Sequence, residues 1–135
     1  MHIMIIDEHT ANLNSLKAGV MSFGYDSVYA TNGDSALQFL QIQNNKKKTP
    51  KLVLMNMNMC NLNAVQFINE AKNLQPNLAF ILMTEQMDKR LWKTISNFSD
   101  CDYIEKPFTP DGLVHKISQF SKKNGTKGHR PSLLT

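Results

Sequence analysis

Five short apolar runs, each followed by a longer amphipathic stretch, constrain this chain more than any other feature. The runs are "HIMII", "SVYA", "KLVLMNM", "LAFILMT" and "CDYIEK". A strand covered on both faces reads as almost continuously apolar, because neither side meets water. Strands of that kind alternating with helical patterns indicate parallel pairing through crossover helices.

The intervening stretches carry the helical period. "TANLNSLKAGVMSFG" places Leu13, Leu16, Val20 and Phe23 at helical spacing and stops at Gly24. "GDSALQFLQI" aligns Ala36, Leu37 and Leu40, with Ile42 at its end and Asp34 as a first-turn acid. "AVQFINEAKNL" carries Val65, Ile68 and Ala71 or Lys72, and Pro76 closes it. "DKRLWKTISNF" carries Leu91, Trp92, Ile95 and Phe98, and "TPDGLVHKISQFSKK" opens with Pro110 in its first turn after Thr109. The expected class is α/β: five parallel strands with helices on both faces.

In such sheets, ligands sit beyond the carboxyl ends of the strands. The residues expected there are Asp7 and Glu8, Asn56, Thr84 and Lys106. These polar groups, far apart in sequence, converge on one crevice. Asn56 is the odd member. Asparagine has poor strand propensity, and a buried amide needs partners.

Composition narrows the class. A chain of 135 residues with 41% hydrophobic and 19% charged residues fits one globular core. No apolar run approaches the roughly 20 residues of a membrane helix. "MHIMIIDEHT" meets acids at once and has no small-residue cleavage site, so it reads as a first strand, not a signal peptide. Cys60 and Cys101 match no metal-ligand or disulfide spacing, which fits free thiols in a reducing cytoplasm. His9 and His115 likewise lack ligand spacing. Met55, Met57 and Met59 alternate with asparagines, which on a strand turns them to one face as core packing.

The net charge of +4 resides in the end of the chain. Residues 122–135 hold Lys122, Lys123, Lys127 and Arg130 and no acid, whereas residues 1–120 hold 11 basic and 11 acidic groups. The body offers no basic footprint for nucleic acid. The expected division is a domain over 1–121 and a basic tail or linker over 122–135.

The segments "IIDEHT", "ATNGDSALQFL", "LVLMNMNMCNLNAVQFI", "ILMTEQ" and "YIEKPF" together resemble the receiver domain of two-component response regulators, from residue 2 to about residue 121. The resemblance implies a flavodoxin-like, doubly wound sheet of strand order 2-1-3-4-5. It also implies a phosphorelay site in which a carboxylate ending the third strand accepts a phosphoryl group. Asp7 and Glu8 match the acids that hold Mg²⁺, and the backbone carbonyl of Asn58 matches the further metal contact. Thr84 matches the phosphoryl-binding hydroxyl, Lys106 the lysine and Tyr103 the switch aromatic, and the Lys106–Pro107 bond would be cis. Hard Mg²⁺ takes oxygen ligands, and cation and lysine together neutralise charge on the transferring group.

This sequence departs from that pattern where the chemistry would occur. Asn56 stands at the phosphoacceptor position, and an amide is no carboxylate nucleophile. Losing that negative charge also weakens the expected hold on Mg²⁺. Cys60 stands where the family usually has proline, and Ala64 where it has glycine. Glu85 follows Thr84 where a small residue is usual, and its carboxylate would crowd or repel phosphate. Asn56 alone would also fit an ordinary receiver with an engineered Asp-to-Asn change. Four departures around one pocket favour natural divergence.

The resemblance implies a signalling module, not an enzyme, with a histidine kinase or output protein bound through the fourth helix, fifth strand and fifth helix. A second copy of the chain could use the same face. Lys89, Arg90, Trp92, Lys93, Tyr103 and Glu105 would belong to it. A flavin enzyme on the same topology would need a glycine- and hydroxyl-rich phosphate loop after the first strand. "DEHTAN" puts two acids there instead. DNA binding through the tail lacks an aromatic or helical frame.

Overall fold

The structure, a computed structural model, describes residues 1–43, 46, 48–59 and 62–126, with side chains described through Phe120. Five strands and five helices alternate: β1 (His2–Ile6), α1 (Thr10–Ser22), β2 (Asp26–Ala30), α2 (Gly33–Gln43), β3 (Leu52–Asn56), α3 (Ala64–Leu74), β4 (Ala79–Thr84), α4 (Lys89–Ile95), β5 (Cys101–Glu105) and α5 (Pro110–Thr126). All pairings are parallel, in the order β2-β1-β3-β4-β5. This is the flavodoxin-like arrangement expected from the sequence.

Period-two alternation divides the central strands between two cores. Met4, Ile6, Val53, Met55, Phe80 and Leu82 face α2, α3 and α4, where Leu40, Phe67, Ile68 and Ile95 meet them. Ile3, Ile5, Leu52, Leu54, Ile81 and Met83 face Leu13 and Val20 of α1 and Leu113, Ile117 and Phe120 of α5. Every residue of β3 and β4 is buried, whereas β2 and β5, at the sheet edges, are partly exposed. Full coverage therefore applies to the inner strands only.

Side-chain caps set where helices begin. Asn63 Oδ1 accepts the Gln66 N–H at 3.0 Å at the head of α3, and Asp88 Oδ1 accepts from the Arg90 and Leu91 N–H groups at 2.7 and 3.1 Å at the head of α4. Thr109 Oγ1 accepts from the Gly112 N–H at 3.0 Å, with Pro110 in the first turn of α5. Gly24 ends the α1 region with φ of +92°, a conformation glycine adopts without a Cβ penalty.

Several periodic assignments are corrected. Phe23 is 48% exposed, because α1 ends at Ser22 and the chain is already turning toward Gly24. Ile42 is 62% exposed: two residues past Leu40, it lies about 200° around the helix from the buried face. Phe98 lies beyond α4 yet packs, half-buried, on the α2–α4 side, as does Trp92. Met55, Met57 and Met59 do share one core, although the strand ends at Asn56 and the last two reach it from a turn. Phe67, absent from the expected face of α3, is 4% exposed and meets Phe80 edge-on at 6.2 Å and 87°.

The α5 helix continues to Thr126, past the expected boundary at 121, since no proline interrupts it. The rest of the tail, 127–135, lies outside the described residues, and so does Cys60.

Candidate functional site

Parallel register brings the strand ends level. Ile6 pairs with Met55, so the next residues, Asp7 and Asn56, emerge side by side. Asn56 in turn pairs with Met83, next to Thr84, and Thr84 pairs with Glu105, next to Lys106. The crevice thus takes one polar residue from each of four adjacent strands. Asp7, Asn56 and Thr84 are 2%, 3% and 5% exposed, although each is polar.

Buried polar groups require partners, and each has one. Asp7 Oδ1 accepts the His9 N–H at 3.0 Å, while the Asp7 N–H donates to the Ala30 carbonyl at 3.1 Å. Asn56 Oδ1 accepts twice, from the Asn58 N–H at 3.0 Å and from Lys106 Nζ at 2.8 Å. Thr84 Oγ1 donates to the Gln86 carbonyl at 3.1 Å, and the Lys106 N–H donates to the Thr84 carbonyl at 2.7 Å. The Lys106–Pro107 peptide is cis, as the resemblance implied.

The surrounding residues complete the frame. Glu8 is half-buried at the edge of a cavity of about 420 Å³, which Asn32, Asp34, Asn63 and Glu70 also line. Ala64 is buried at the start of α3, and Glu85 is exposed just past β4. Tyr103 is half-buried in β5 and packs edge-to-face on Trp92 at 4.9 Å and 66°. Glu105 Oε2 accepts the Met87 N–H at 3.1 Å, tying the loop before α4 to β5.

The sequence did not reveal the Gln86 acceptor, the Met87–Glu105 tie or the Trp92–Tyr103 contact. The first two depend on loop geometry, which has no period to read. For Asn58, the structure shows its N–H donating to Asn56 Oδ1, whereas the carbonyl expected as a metal contact belongs to the next peptide group.

The donor set matches a hard cation in kind. Asp7 and Glu8 offer carboxylate oxygens, the ligand type Mg²⁺ prefers. The amide oxygen of Asn56 already accepts two hydrogen bonds, which fills both its lone pairs. Among the described residues, no group of three or more His, Cys, Asp or Glu side chains is placed to hold a metal. Away from this crevice, burial pushes the Cys101 thiol up to about 11, opposed in part by the nearby positive charge of Lys72.

The family model of the response regulator receiver domain matches residues 3–118. The chain belongs to this family. Receivers act in two-component signalling, and they typically bind Mg²⁺ at their acidic pocket. This receiver is 26% identical over 121 residues to the chemotaxis protein CheY of Thermotoga maritima, covering 89% of this chain and 97% of that protein. It is 32% identical over 116 residues to the aerobic respiration control protein ArcA of Escherichia coli, covering 84% of this chain but 45% of that protein. The chain thus spans less than half the length of that regulator. The CheY-like receiver domain protein of Methanospirillum hungatei superposes with a TM-score of 0.81 at 22% identity, covering 92% of this chain and 95% of that one. That likeness supports the fold.

Proposed function

We propose that this receiver does not form an acyl phosphate at residue 56 and acts as a pseudo-receiver, through protein–protein contacts. The observation that carries the reading is the hydrogen bond between Lys106 Nζ and Asn56 Oδ1. The lysine holds a neutral amide oxygen at the phosphoacceptor position. An amide oxygen of this kind is not a nucleophile toward a phosphoryl donor. Glu85, exposed and next to Thr84 in the chain, adds a negative charge just past β4.

Mg²⁺ would be held by Asp7, Glu8 and the Asn58 carbonyl, and weakly, because one carboxylate is missing. When bound, it would supply charge neutralisation. Thr84 and Lys106 would remain as the anion-binding pair, and Tyr103, held by Trp92, as the aromatic nearest the binding face. Receivers interact with histidine kinases and output domains. Here the proposed face is α4, β5 and α5, with Lys89, Arg90, Trp92, Lys93, Tyr103 and Glu105, in a cytoplasmic setting. A second copy of the chain would be an alternative occupant.

Beryllofluoride with Mg²⁺, followed by amide NMR on this chain and on Asn56→Asp, tests the reading. The expected result is no response from the chain as it stands and shifts at Thr84, Lys106 and Tyr103 in Asn56→Asp. Saturable shifts at those three residues in the unaltered chain would overturn it. Charge reversal at Lys89 and Arg90 tests the face, since unchanged partner binding would place the interface elsewhere.

A further inference from the structure

Between α1 and α5, on the side of the sheet away from α2, α3 and α4, lies a groove of about 150 Å³. Leu16, Gly19 and Val20 of α1 line it together with Phe108 and with Leu113 and Val114 of α5, and Ser15 is the one polar residue of its wall. An apolar cavity of about this size stays dry and accepts a group as large as benzene. Gly19 keeps the groove open: it is exposed, and a Cβ added there would meet no atom within 4 Å.

The apolar line continues along α1. Phe23 lies four residues after Gly19, about 6 Å further along the same side of the helix, and is 48% exposed. The ring and the mouth of the groove therefore face solvent in one stripe.

Reach and spacing select an occupant. α5 ends at Thr126, twelve residues and so about 18 Å beyond Val114. The sequence continues "KGHRPSLLT", whose bulky apolar residues are Pro131, Leu133 and Leu134. Gly128 stands two residues past the helix end, where glycine commonly lets a chain leave in a left-handed turn. The seven residues from Thr126 to Leu133 span up to about 23 Å when extended, enough to turn and return about 18 Å to the groove. Residues two apart in an extended chain point to one side and lie about 6.6 Å from each other. Pro131 and Leu133 thus have the separation of Phe23 and Gly19, in the order a returning chain would meet them.

We propose that this segment folds back along α1 of its own chain, with Leu133 in the groove beside Gly19 and Pro131 on the ring of Phe23. So placed, it closes the groove to any other apolar partner. The contact is independent of the chemistry at Asn56.

The test is NMR of the full chain with labelled methyl groups. The expected result is nuclear Overhauser contacts from the Leu133 methyls to Gly19 and Val114, and from Pro131 to the Phe23 ring. Leu133→Ser should abolish them. Gly19→Leu, which fills the notch without a clash and favours the helix, should do the same. The amides of Arg130, Ser132 and Leu134 should then take the same positions in both variants, which marks a released segment. Contacts seen only between labelled and unlabelled chains in a mixed sample would overturn the intramolecular contact and assign the groove to a second copy. Contacts that survive Gly19→Leu would place the segment elsewhere. Absent contacts, with the three amides unmoved in either variant, would overturn the proposal altogether.

Discussion

The ammonium of Lys106 reaches across 50 residues of sequence to the amide oxygen of Asn56, 2.8 Å away, at the carboxyl end of the central strand. In a crevice where Asp7, Asn56 and Thr84 are all buried, this contact links β3 to the segment after β5 across the intervening strand. A hydrogen bond in which one partner is charged contributes more than a neutral pair, on the order of 1.5–3 kcal/mol when well shielded. Lys106 is half-buried, so the lower end applies.

A double-mutant cycle with Lys106→Met and Asn56→Ala should therefore return a coupling of about 1.5 kcal/mol in urea unfolding. A coupling indistinguishable from zero would mean that the contact contributes nothing to stability.

Asn56→Asp places a negative charge beside Asp7 and Lys106. Mg²⁺ affinity, followed by Trp92 fluorescence or amide shifts, should rise about tenfold or more, the equivalent of about 1.4 kcal/mol. Equal affinity for the two proteins would show that the charge at position 56 is not what limits metal binding.

Phe80 is fully buried and meets Phe67 edge-on. Phe80→Ala should cost about 3–5 kcal/mol, from lost burial and the cavity left behind. A loss below about 1 kcal/mol in chemical denaturation would mean that the sheet and the α2–α4 layer collapse around the gap.

Asp88→Ala removes the acceptor for two backbone N–H groups at the head of α4, a helix of seven residues. The expected cost is about 1 kcal/mol, with increased hydrogen exchange at Arg90 and Leu91. Asp88→Asn should recover most of it.

Burial raises the Cys101 thiol from 9.0 to about 11. The folded state therefore favours the protonated thiol. Its contribution to stability is complete below about pH 9 and is lost as the pH rises through about 11, because the unfolded chain gives up its proton first. In a Cys60→Ser background, alkylation of Cys101 should be slow at pH 8 and reach half its limiting rate near pH 11. Rapid alkylation at pH 8 would contradict this.

The five-strand rhythm was legible because burial on both faces leaves no room for polar residues in "LVLM" or "AFILM", and β3 and β4 are buried throughout. The polar strand ends were legible for the converse reason. Asp7, Asn56 and Thr84 interrupt apolar runs at the one place where a parallel sheet keeps its ligands. The helix faces were read less well. Phe23, past the end of α1, and Ile42, on the far side of α2 from Leu40, project into solvent, and Phe67 was passed over although it reaches the sheet. Where a helix ends and which face it turns to the sheet decide burial, and both are set by packing against the neighbouring strands.

The sequence by itself therefore determined the layered α/β class, the strand and helix order and the polar residues at the strand ends, Asn56 among them. All of these follow from local periodicity and residue chemistry. Only the tertiary structure decided that Lys106 bonds to Asn56 and that Trp92 packs on Tyr103. Contacts between residues far apart in the chain depend on register and on loop paths, and their energies are realised only after the sheet has assembled.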